Sequence, residues 1–133
     1  AEEVLTNTVS IHFYPNSWEI YKKVTKDEEG KTIETDYDPK AKYVVSEIGR
    51  LAGQFGNARI IIEGHTDSRG TVEYNVALGD RRATATLNYL VAQGVKADRI
   101  SVISYGMERP LCSVHSEGCW SQNRRSQFLV KEQ

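Results

Sequence analysis

The sequence predicts an α+β fold in which helices pack over a single sheet. Three observations carry that prediction. Strand-like and helix-like apolar patterns alternate along the chain, which is the signature of helices layered on a sheet. Each helical pattern is bounded by a start or stop signal. The 133 residues contain no internal repeat and no low-complexity linker, so residues 1–133 read as one domain with its own core.

Val9-Ser10-Ile11-His12-Phe13 alternates apolar and polar residues, as a half-buried strand does, and Pro15-Asn16-Ser17 ends it in a turn. Residues 22–38 are the most charged stretch, with five lysines from Lys22 to Lys40 interleaved with six acids from Asp27 to Asp38. Glu29-Gly30 sits at its middle, so the stretch reads as a charged insertion, either a solvated hairpin or a flexible excursion. Asp38 at the N-cap and Pro39 at the first helical position then start a helix. Val44, Ile48, Leu51 and Phe55 follow at helical spacing, and Gly56-Asn57 closes it. Arg59-Ile60-Ile61-Ile62-Glu63 is a β-branched run suited to a central strand. Gly64 to Gly70 leaves it as a polar loop.

A second helix runs from about Val72 to Gln93, with Gly94 as its stop. Its apolar positions are Tyr74, Leu78, Ala83, Leu87, Leu90 and Val91. Ile100 to Tyr105 forms the next strand, followed by a loop from Gly106 to Cys119. A helical turn around Ser121-Gln122-Asn123 leads to a last strand, Ser126 to Lys131.

Composition narrows the function. Apolar residues at 39% and charged ones at 26% exclude disordered and collagen-like chains. Lys and Arg number 17 against 18 acids, a net charge of −1, which argues against nucleic-acid binding driven by counterion release. A local site with one anion and one cation remains open. The longest apolar run is Tyr89 to Ala92, far short of the ~18 residues of a spanning helix. Ala1-Glu2-Glu3 lacks the charged and apolar regions of a signal peptide, so either a cytoplasmic protein or a processed chain is expected. Cys112 and Cys119, in the predicted loop, have three readings: free buried thiols, metal ligands, or a disulfide. A bridge is the expectation; it would contribute about 2.5 kcal/mol and imply an oxidising compartment.

No nucleophile elbow, phosphate-binding loop or zinc-protease motif occurs, so no catalytic residue is assigned. His65 and Asp67 have a spacing that could seat a metal, but no third ligand is evident, and neither a metal nor a cofactor is expected. What remains is a recognition constellation. Asp67 sits just past a strand end, where a carboxylate can stay solvated and ionised. Ser68 to Thr71 then enters a helix N-terminus, whose free amides favour anions. Further along that helix come Asn75 and the pair Arg81-Arg82, which point about 100° apart, so only one can face a shared pocket. Ala83, Leu87 and Leu90 define the buried stripe, and Arg82 lies nearer its edge. Two readings stand side by side. One is an Asp67–Arg82 ion pair within the domain, worth about 0–1 kcal/mol at a surface. The other is a site for a small zwitterion, with its ammonium on Asp67 and its carboxylate on Arg82.

The segment from Glu63 to Ala83 matches the pattern G-H-T/A-D-x-x-G-x-x-x-Y-N-x-x-L-(S/G)-x-x-R-A throughout. It resembles the OmpA-like peptidoglycan-binding domains, most closely their lipoprotein branch. Ser104 to Pro110 and Asn123-Arg124-Arg125 are similar to later stretches of the same family. The resemblance implies a β-α-β-α-β-β sandwich, one mixed sheet with helices on one face. It implies a ligand, the meso-diaminopimelate of the peptidoglycan stem peptide, gripped at its free zwitterionic end by Asp67 and Arg82. Asn75, Thr66 and Asn16 match positions lining the same cleft, with Arg124, Arg125 and Leu78 as a second tier. The implied setting is the periplasm, at the outer membrane of a Gram-negative-type bacterium, through an anchor outside this chain. Tol-type periplasmic proteins are candidate partners; a rival reading is an interaction module that binds a protein and leaves the cleft unused. A straight helix rises about 1.5 Å per residue, so Arg82 meets Asp67 only if the helix lies back across the strand end.

Overall fold

A computed structural model describes residues 3–6, 10–20, 22–37 and 39–132; the side chains of 3–6, 22–25, 33–37 and 132 are outside that description. Val9 and the predicted N-cap Asp38 also lie outside the described residues. The elements are β1 (Glu3–Thr6), β2 (Ile11–His12), β3 (Lys22–Lys26), β4 (Thr32–Tyr37), α1 (Pro39–Gln54), β5 (Arg59–His65), α2 (Val72–Ala92), β6 (Ile100–Gly106), α3 (Glu117–Asn123) and β7 (Arg125–Glu132).

The main sheet runs β1-β7-β5-β6, with β2 also paired to β7. β5 and β7 are antiparallel, with Ile60 opposite Val130 and Ile62 opposite Phe128. The far edge of β7 is shared: β2 pairs with it at Arg125 and Ser126, and β1 from Leu129 to Glu132. β5 and β6 are parallel, as a connection through a helix requires. The sheet is therefore mixed, as predicted. β3 and β4 form a separate two-stranded hairpin over the charged stretch.

Alternation along the strands sets which face is covered. Ile60 and Ile62 of β5, with Phe128 and Val130 of β7, are fully buried against Val44, Ile48, Ala83 and Leu90 of the two long helices. A Leu or Ile buried this way contributes about 1.5–3 kcal/mol each. This single core fixes α2 over β5 and β6, and thereby the site.

The close approach of α2 to the sheet depends on two glycines. Gly64 of β5 faces Gly79 of α2, and a Cβ at Gly64 would overlap the Gly79 carbonyl. A Cβ at Gly79 would collide with the Ser104 hydroxyl, which itself donates to the Val76 carbonyl at 2.7 Å.

Several predicted boundaries are corrected. β1 precedes the first predicted strand; its short Glu3-Val4-Leu5-Thr6 run has no clear alternation and forms because β7 offers a free edge. Of the described part of the predicted Val9 to Phe13 strand, β2 keeps Ile11 and His12. α3 begins at Glu117, within the predicted loop, because the Ser116 hydroxyl caps it by accepting from the Cys119 amide. On α2, Tyr74 and Val91 are exposed rather than apolar core positions, and Tyr89 is buried instead. Cys112 and Cys119 are joined in a disulfide. Among the described residues no helix is long and apolar enough to cross a membrane.

Candidate functional site

The site forms where β5 ends and α2 begins. The Thr71 hydroxyl caps α2 by accepting from the Tyr74 amide at 3.1 Å. Asn75, one turn in, is buried and donates from Nδ2 to the carbonyls of Arg69 (2.9 Å) and Thr71 (3.0 Å). Those bonds fold the Ser68-Arg69-Gly70 loop back over the strand end. The Thr66 hydroxyl donates to the Asp67 carbonyl.

Asp67 is 7% exposed, so the expectation of a solvated carboxylate is corrected. It keeps its charge by another route. Burial pushes its carboxyl up, but hydrogen bonds from the Arg69 side chain and amide, the Arg69 charge and Arg124 outweigh burial and hold it below the ordinary value. Arg69 donates from its amide (3.1 Å) and Nε (3.2 Å) to Oδ1, and from Nη2 to Oδ2 at 2.8 Å. Arg124 Nη1 lies 3.5 Å from Oδ2.

Arg82 is fully buried, which corrects its predicted place near the edge of the buried stripe. Because α2 lies back across β5, its guanidinium reaches the strand end. Nε donates to the Ser17 carbonyl (2.8 Å), Nη1 to the His65 carbonyl (3.0 Å) and Nη2 to the Tyr14 carbonyl (3.1 Å). Burial lowers its pKa to about 10, with Asp67 acting in the opposite direction, so it stays charged at neutral pH. A guanidinium has five N–H groups; three serve these carbonyls, which leaves two without a hydrogen-bond partner among the described residues. Among the described residues Asp67 and Arg82 form no direct ion pair: each charge has other partners, and they face one another across a cleft. Arg81 points away, stacked 4.7 Å from the Trp18 ring.

That cleft, of about 200 Å³, is lined by Asn16, Thr66, Asp67, Asn75, Leu78 and Arg82, together with Pro15, Arg69, Gly70 and Tyr74. The first six are sequence-predicted site residues, now in one place. Asn16 adopts a positive φ of 54° at the turn after β2 and accepts from the Tyr74 hydroxyl at 2.8 Å. This bond joins the two walls of the cleft. Of the second tier, Arg124 stands behind Asp67, with Nε donating to the Phe13 carbonyl at 2.9 Å. Arg125 is not brought to the cleft; it bonds Gln127 and the carbonyls of Asn123 and Arg109.

Sequence reasoning missed Arg69 and Tyr74. The signal for Arg69 was its place two residues after Asp67, close enough for a doubled bond to the same carboxylate. Tyr74 was masked by its helical spacing. His65 is buried, bonded through Nε2 to Glu63 at 3.1 Å and stacked on Tyr105. No cluster of three or more metal-ligating side chains occurs among the described residues. A carboxylate and a guanidinium with donors to spare, lining one cleft, can together hold a small zwitterion noncovalently.

Comparison with known proteins places the chain among relatives. The model of the OmpA family matches residues 31–124. The peptidoglycan-associated lipoprotein of Pseudomonas aeruginosa is 57% identical over 67 residues, covering 50% of this chain and 40% of that protein. That of Agrobacterium fabrum is 44% identical over 95 residues, covering 71% and 54%. The chain thus spans about half the length of these relatives or less. Among solved structures, the peptidoglycan-associated lipoprotein from Burkholderia pseudomallei superposes with a TM-score of 0.74 at 28% identity, covering 92% of this chain and 90% of that one. The C-terminal domain of Helicobacter pylori MotB shares the fold, with a TM-score of 0.69 at 19% identity, covering 91% and 82%.

Proposed function

This chain belongs to the OmpA family, and from that premise we propose that it binds peptidoglycan noncovalently through the meso-diaminopimelate of the stem peptide. Such binding would tether the outer membrane to the cell wall without chemistry on the wall. The observation that carries the reading is the pairing across the cleft of an ionised Asp67 with an Arg82 that keeps two N–H groups unused. The free end of diaminopimelate carries an ammonium and a carboxylate on one carbon. The ammonium suits Asp67, and the carboxylate takes the Arg82 fork in bidentate fashion. Lysine has the ammonium but no carboxylate there, so it leaves the buried Arg82 donors unpaired and is discriminated against.

Asn16, Thr66, Asn75 and Leu78 complete the lining. A ligand reaching Arg82 displaces the bond between Tyr74 and Asn16, so entry is coupled to opening of the two walls. The names of the relatives support the wall as target. The disulfide suits the periplasm, an oxidising compartment. Co-sedimentation with diaminopimelate-type cell-wall sacculi tests the proposal. The protein is expected in the pellet, released by free meso-diaminopimelate and not by lysine. Protein that stays in the supernatant, or is released equally by both, overturns it.

A further inference from the structure

We infer that the disulfide-closed segment and α3 belong to the binding machinery, positioning Asp67 through the two arginines that flank it. The ligand rests on the peptidoglycan reading above; the positioning rests on geometry alone. Each arginine on Asp67 is held from behind by α3. The Arg69 guanidinium lies 4.1 Å from the centre of the Trp120 ring while its Nε and Nη2 donate to the carboxylate. Arg124 donates from Nη2 to Glu117 Oε1 at 2.6 Å, with Nη1 at 3.5 Å from Asp67. Trp120 and Glu117 are three residues apart on the helix, close enough to act from one face.

Seven residues make too short a helix to hold its own position. Two devices hold it. The bridge from Cys119, itself buried, ties the first turn to Cys112. At the other end, buried Asn123 accepts from the amides of Leu111 (2.8 Å) and Cys112 (3.2 Å) and donates to the Cys112 carbonyl at 2.7 Å. Trp120 therefore lies between the two tethers, and Glu117 lies inside the segment that the disulfide closes.

The consequence reaches both charges of the cleft. Arg69 is 44% exposed along its side chain and would sample other rotamers without the indole beneath it. Arg124 also grips the Phe13 carbonyl, at the head of the segment whose Tyr14 and Ser17 carbonyls hold Arg82. Trp120 and Glu117 are thus positioning residues: neither lines the cleft, and both hold the arginines that set Asp67, which does.

Two measurements on folded variants test this: NMR titration of the Asp67 carboxyl, and calorimetric affinity for a diaminopimelate-containing muropeptide. Trp120→Ala, and separately the double variant C112S/C119S, should move the Asp67 titration up toward ordinary carboxyls and weaken muropeptide binding about tenfold. Trp120→Phe keeps an aromatic face under Arg69 and should restore both to within about twofold of the unmodified protein. Glu117→Gln, an exposed change, should weaken binding about threefold through Arg124. Circular dichroism identifies folded variants, and C112S/C119S carries the test should Trp120→Ala fail to fold. An Asp67 titration or an affinity that stays put in the folded variants overturns the inference. A shifted titration in a series whose unmodified protein binds no muropeptide instead overturns the peptidoglycan reading and leaves the positioning role standing.

Discussion

A guanidinium buried as completely as Arg82 survives because its N–H groups are spread over several backbone acceptors. Three carbonyls, of Tyr14, Ser17 and His65, accept from it. A lysine ammonium at the end of a single stem cannot span all three. Arg82→Lys should therefore cost about 2 kcal/mol of stability, the penalty for stranding a buried acceptor or two, read by urea denaturation. Asp67 gives a pH prediction. Its folded-state pKa is depressed, so the stability it contributes is present above the unfolded value and lost as pH falls through the folded one. The stability gap between the unmodified protein and Asp67→Asn should hold at neutral pH and close below about pH 4. At this scale the sequence was legible where chemistry is explicit. The 100° between Arg81 and Arg82 left room for only one in the pocket. Tyr74 was not legible, because an aromatic at helical spacing looks the same whether the helix lies on the core or overhangs it.

The element that decides the site is α2, and what decides α2 is the glycine contact with β5. Gly64→Ala pushes a methyl into the Gly79 carbonyl and must lift the helix from the strand. It should destabilise the domain by about 1–3 kcal/mol, and it should abolish wall binding, because Arg82 then no longer reaches the end of β5. Thermal melting and sacculus co-sedimentation read the two effects. The helix cores, the β5 run and the stops at Gly56 and Gly94 were legible because each rests on a local pattern. β1 and the start of α3 were not: β1 exists only because β7 presents a free edge, and α3 begins early under a serine cap and a closed ring of chain. Both causes are tertiary, and neither leaves a periodic trace.

Across the whole molecule, the near-balance of 17 basic and 18 acidic residues leaves no broad field to attract a polyanion. Specificity has to come from placed charges rather than from a sum, and the cleft holds one buried carboxylate and one buried guanidinium side by side. Of the residues that line it, Asp67, Asn75 and Arg82 were legible from their place at a strand end and on the helix that follows, Thr66, Leu78 and Asn16 only through the family resemblance, and Arg69 and Tyr74 not at all. Their mutual geometry was not legible, because it depends on how a helix some thirty ångströms long settles on the sheet. Isothermal calorimetry of the unmodified protein, Asp67→Asn and Arg82→Lys tests recognition of the zwitterion by these two charges. Each is titrated with a diaminopimelate-type muropeptide and with its lysine-type counterpart. The unmodified protein should bind the first peptide and bind the second at least about tenfold more weakly, and either variant should lose about tenfold or more. Equal affinity for the two peptides, or unchanged affinity in both variants, would contradict that recognition.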